Sequence, residues 1–160
     1  MKAATVAQIK KELKFKSSDE LEALCLRLAR FKKENKELLT YLLFEVEDEA
    51  SYVQHVQEYI SEKFDEINIS SMYFIKKSIR RILRETKRFI KYSPVKETEV
   101  ELLLYFCEVM IAFKPSVKDN RSMMNLFERQ IQLIKTKIKG LHTDLQHDYT
   151  LELNSLNSYV

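Results

Sequence analysis

A single glycine, Gly140, and only two prolines, Pro94 and Pro115, stand in a chain of 160 residues, and that scarcity narrows the fold sharply. Tight hairpins need glycine for positive φ, and phosphate-cradling loops need it for close backbone approach. One glycine leaves no Gly-rich phosphate loop and no dinucleotide fingerprint, and sheet-based enzyme folds lose most of their usual punctuation. What remains is helix. An apolar share of 45% is enough for a core, which sets aside wholesale disorder.

Helical spacing and capping signals divide the chain into about seven or eight helices. Thr5 with Gln8 and Ser17 with Glu20 are capping-box pairs. The first opens a helix with Val6, Ile9 and Leu13 on one face, the second a helix with Leu21, Leu24, Leu28 and Phe31. Asn35 is the expected cap of a third helix, Lys36 to Val46, which is apolar nearly all round and so is expected to be central and buried. An acidic turn at Glu45 to Glu49 leads into a fourth helix with Tyr52, Val56, Tyr59, Ile60 and Ile67 inward. A fifth runs from about Ser71 to Tyr92 and ends before Pro94, because the residue preceding a proline disfavours α geometry.

The sixth helix, Lys96 to Phe113, is again apolar on most sides and should be the other core element. A seventh carries Met124, Phe127, Ile131, Ile134 and Ile138, with Gly140 as its C-cap. A last one carries Leu141, Leu145, Tyr149, Leu153 and Leu156, and its final ten residues or so are expected to fray. Arg30-Phe31 followed by Glu37 to Tyr41 echoes Arg88-Phe89 followed by Glu101 to Tyr105. The fold is therefore expected to be one all-α domain over residues 1–160. It is either an irregular multi-helix bundle or a short solenoid of stacked helical hairpins of HEAT or armadillo type.

Charge is distributed in blocks. Residues 1–40 hold ten basic and six acidic side chains, residues 41–70 one basic and eight acidic, and residues 71–100 nine basic and three acidic. On the fifth helix Lys76, Lys77, Arg80, Arg81, Arg84, Lys87, Arg88 and Lys91 fall within an arc of roughly 140°, with Tyr73 among them. Ile75, Ile79, Ile82, Leu83, Phe89 and Ile90 take the opposite side. A row of eight cations along about 30 Å of helix suits a polyanion or an acidic partner. An internal reading competes: Glu58, Glu62, Asp65 and Glu66 of the preceding helix would lie beside part of the row in an antiparallel pair.

Other chemistry finds no support. Cys25 and Cys107 sit in apolar runs without CxxC spacing and read as buried, reduced hydrophobes. His55, His142 and His147 are too scattered for a metal site, and the Asp144–His147 spacing lacks the second motif a di-iron bundle needs. No serine has a nucleophile-elbow context. The most apolar segment, Leu102 to Phe113, is too short to span a membrane. The lysine-rich stretch Met1 to Leu13 lacks an apolar signal core, so a cytoplasmic location is expected. The expected function is a non-enzymatic helical interaction module without cofactor or metal, its partner another protein. The alternative is nucleic-acid binding through the eight-cation face.

Overall fold

The computed structural model describes residues 1–157. Among them are eight α-helices and no strand, in two compact units, Met1–Phe44 and Glu45–Val160.

The first unit holds α1 (Val6–Leu13), α2 (Ser18–Phe31) and α3 (Lys33–Thr40), closing in a π-helical turn over Tyr41–Glu45. Both capping boxes form. Thr5 Oγ1 accepts from the Gln8 amide while Gln8 Oε1 accepts from the Thr5 amide at 2.9 Å, and Ser17 and Glu20 repeat the exchange. Together they satisfy amides that a helix start otherwise leaves bare. Asn35 does not cap α3. Lys32 holds the N-cap position without a side-chain bond, and Asn35 Nδ2 instead donates to the Leu28 carbonyl at 2.8 Å, tying α3 back to α2.

The expectation that this third helix is buried is corrected. Leu42, Leu43 and Phe44 are 51%, 62% and 77% exposed, and Tyr41 is the buried residue of the run. All-round apolarity shows what a helix can bury, while burial itself needs neighbours on every side. Within residues 1–44 α3 packs against α2.

The second unit is a bundle built round α6 (Lys96–Ala112), with α4 (Glu49–Asp65), α5 (Met72–Ile90), α7 (Arg121–Ile138) and α8 (Thr143–Asn157) all packed on it. Four neighbours explain why α6 lacks a polar face of ordinary width. Val100, Leu102, Leu103, Leu104, Phe106, Cys107 and Met110 are buried, leaving Glu97, Glu101, Tyr105 and Glu108 along a narrow polar edge, with Glu99 half-buried on another side. Phe64 of α4 sets its ring 5.7 Å from Phe106 and 5.8 Å from Phe113. Residues 151–157, expected to fray, are helical with Leu153 and Leu156 buried; the three residues after them lie outside the described residues. Gly140 follows the α7 cap residue, Lys139, with ordinary negative φ.

Polar staples fix the bundle's registry. Asp48 caps α4 by accepting from the Ser51 amide at 3.0 Å. One residue later Glu49 accepts hydroxyl hydrogen bonds from Ser93, at 2.5 Å, and from Thr98, which is buried. Glu49→Ala would leave two hydroxyls without their acceptor at the junction of α4 and α6. The expected cost is about 1–3 kcal/mol. It should appear as a lower urea midpoint with unchanged m-value, whereas Glu49→Gln, which keeps a carbonyl acceptor, should lose less.

Candidate functional site

Of the eight cations singled out from the sequence, seven lie on α5, opposite its buried Ile75, Ile79, Ile82, Leu83 and Thr86, and Lys91 is its C-cap residue. Lys77, Arg80, Arg81, Arg84 and Lys91 are exposed, and Lys76, Lys87 and Arg88 are half-buried. Tyr73 is exposed at the start of the row, its ring edge-on to Phe74 at 5.4 Å. The rotation of α5 is set by its contact with α4. Tyr59 Oη donates to Glu85 Oε2 at 2.9 Å, its ring meets Phe89 edge-on at 5.2 Å, and Tyr52 Oη donates to the Phe89 carbonyl at 2.9 Å.

That aromatic seam decides the fate of the charges. The acids Glu58, Glu62 and Asp65 lie about 60–120° round α4 from Tyr59, on the side turned away from α5. Glu66 pairs with Lys63 of its own helix at 2.6 Å. Among the described residues, Lys76, Lys77, Arg80, Arg81, Arg84, Lys87 and Lys91 form no ion pair. The two helices do pair, yet their acid and base rows diverge.

At its inner edge the row meets α6 and α7. Arg80 Nη2 donates to Ser122 Oγ at 2.7 Å, bringing the start of α7 and its Arg121 beside the row. Glu99 of α6 pairs with Lys137 at 2.7 Å and also lies near Lys87. Burial lowers the Lys87 pKa, against the opposing pull of Glu99 and Cys107. The Arg88 guanidinium carbon stands 5.4 Å from the Phe89 ring centroid.

A second surface, missed from the sequence, is the apolar side of the first unit. Val6, Ile9, Leu13, Phe15, Leu24, Leu28 and Phe31 are exposed, as are Leu38 and the π-turn residues Leu42 to Phe44. A groove of about 200 Å³ lies between α2 and α3, lined by Cys25, Leu28, Ala29, Asn35, Leu38, Leu39 and Leu42. Cys25 is exposed there, correcting the expectation that both thiols are buried; Cys107 is the buried one. One signal for this surface was present. The switch from net basic to net acidic sequence falls at the boundary between the units, after Phe44.

A third recess of about 530 Å³ lies at the end of α6, lined by Glu108, Ile111, Ala112, Lys118, Glu152, Ser155 and Leu156. Burial, with Glu108, Glu101 and Asp148 nearby, raises the Glu152 pKa. A carboxyl whose pKa is higher folded than unfolded favours the fold while protonated and opposes it once ionised. Glu152→Gln should therefore be stabilising at neutral pH, with the gain vanishing as pH falls below the ordinary carboxylate range. Thermal melts at the two pH values check this. Tyr149 donates to Glu101 close by, and burial followed by that bond raises its phenol pKa.

The sequence-derived histidines are not gathered. His55 contacts Glu45 at 3.1 Å and His142 contacts Asp144 at 3.5 Å. Among the described residues no group of three or more histidine, cysteine or acidic side chains is placed to hold a metal ion, and no helix is long and apolar enough to cross a membrane. No protein-family model, curated protein or solved structure matches the chain.

Proposed function

We propose that this chain is a non-enzymatic protein-interaction module whose contact surface is the apolar side of α1 to α3. The observation that carries the reading is the exposure of leucine and phenylalanine along all three helices and the π turn, whereas the second unit buries its own core helix. Monomeric proteins rarely expose continuous apolar patches above roughly 300–600 Å², and larger ones mark contact sites. The polar groups that the fold gathers act as staples between helices, as Glu49 does with Ser93 and Thr98.

Affinity purification from native extract tests the reading, with the wild-type chain beside Phe31→Asp/Leu42→Asp. A stoichiometric companion, this chain itself included, should be retained by the first and lost by the second, with the bundle's melting transition unchanged. Equal retention, or none, contradicts it.

A second reading rests on its own observation, the seven α5 cations without an ion pair among the described residues. Cations left facing solvent favour a polyphosphate backbone through counterion release. Anisotropy of labelled mixed-sequence DNA and RNA against salt should show binding that falls steeply as salt rises. In Arg80→Glu/Arg84→Glu the affinity should drop and the log–log salt slope should shrink by about 2. No binding at low salt would remove this reading.

A further inference from the structure

We infer that α1 docks on an anionic lipid surface, lying flat in the headgroup layer with Val6, Ile9, Leu13 and the following Phe15 turned toward the acyl chains. The inference goes beyond the interaction reading above, whose test variants lie on α2 and α3.

The helix is held by local order alone. None of its residues is buried. Val6, Ile9 and Leu13 are 83%, 47% and 39% exposed, and Phe15, in the turn that follows, is 77% exposed. A helix of eight residues is marginal in water. The Thr5–Gln8 capping box holds its start, and Lys10 and Lys11 stand in its last turn, where the dipole favours cations. Val6, Ile9 and Leu13 fall within an arc of about 60°, so the helix presents a narrow apolar stripe that the fold does not bury.

The stripe lies in the most one-sided charge of the first unit. Residues 1–15 carry Lys2, Lys10, Lys11 and Lys14 against one acid, Glu12. None of the four lysines is in an ion pair among the described residues. Lys16 is different, held by Glu20 at 2.9 Å. Lys10 and Lys14 stand about 70° and 105° from the centre of the stripe on one flank, Glu12 about 95° on the other, and Lys11 opposite. In a helix lying flat, flanking lysines reach the headgroups along their apolar stems. Each basic residue near an anionic surface strengthens partition roughly fivefold.

The combination selects lipid. A polyphosphate chain is held chiefly by cations, and α5 offers those with its apolar side buried. A protein groove takes an apolar stripe, and α2 and α3 offer one without surplus positive charge. Three acids stand against two arginines on α2, and two acids against two lysines on α3. On α1 uncovered apolar side chains and surplus positive charge meet, the pairing by which interfacial helices hold to anionic membranes.

Co-sedimentation of the full chain with phosphatidylcholine vesicles, with and without phosphatidylserine, tests the inference. Binding is expected only where phosphatidylserine is present, and it should weaken as salt rises. Lys10→Glu/Lys14→Glu should lower the partition by about 25-fold or more. Ile9→Asp/Leu13→Asp should abolish it, and both variants should keep the bundle's melting transition. Arg80→Glu/Arg84→Glu and Phe31→Asp/Leu42→Asp should bind vesicles as the wild type does, so this contact and the readings above succeed or fail separately. The chain has no tryptophan, so Phe15→Trp adds a single reporter, whose emission should shift to the blue on phosphatidylserine vesicles. No binding, equal binding without phosphatidylserine, binding that survives either α1 variant, or an unshifted reporter would each overturn the inference. A protein companion lost in Ile9→Asp/Leu13→Asp, with no uptake by vesicles, would assign α1 to a protein and overturn it too.

Discussion

Phe106→Ala is expected to cost the bundle about 3–5 kcal/mol, the range for deleting a fully buried aromatic side chain. Phe106 is fully buried on α6, its ring beside Phe64 of α4. Four helices pack on α6, so no single one can move into the space without leaving another contact. The cavity therefore stays open, and the cost should fall at the high end. At roughly 4 °C per kcal/mol for a unit of this size, the melting point should drop by about 12–20 °C. Phe31→Ala, the same deletion on α2, removes a side chain that is 76% exposed and should leave that transition in place. Calorimetry of the two variants checks the contrast. Similar losses would mean that Phe31 is as well covered as Phe106.

The two thiols should differ at least as strongly. Cys107 is buried on α6, and burial, with a contribution from Glu108, pushes its pKa up to about 12. Thiolate is the reactive form, so at neutral pH Cys107 is protected by its protonation as well as by its location. Cys25 is exposed on α2. In dilute native protein a chromogenic disulfide reagent should titrate one thiol promptly, and denaturant should release the second. With a native stability of about 5–15 kcal/mol, modification through global opening should lag by a factor of ~10³ or more. Two thiols reacting at similar rates would show that α6 opens without unfolding the bundle.

The legible parts of the fold were those governed by neighbours in sequence. Both capping boxes, the end of α5 before Pro94 and the apolar stripe opposite its cations depend on spacings of a few residues along one helix. The all-round burial of α6 was legible too, since its sequence leaves only a narrow polar edge. Two matters were not. The exposure of Leu42, Leu43 and Phe44 depends on whether another element covers them, and no helical wheel records that. The separation of the α4 acids from the α5 cations depends on helix rotation, which the Tyr59 contacts with Glu85 and Phe89 set across 26 and more residues. Asn35 shows the limit on a small scale. Its composition suits a cap, but the Leu28 carbonyl of the preceding helix lay within its reach.

The central claim is that α6 sits in a closed core while α2 and α3 hold their apolar sides open for a partner. Amide hydrogen exchange on dilute protein, read helix by helix, tests it most directly. Amides of α6 should exchange only through global unfolding, and those of α2 and α3 faster by orders of magnitude. If α2 and α3 in the dilute chain exchange as slowly as α6, their apolar sides are already covered and the account is wrong.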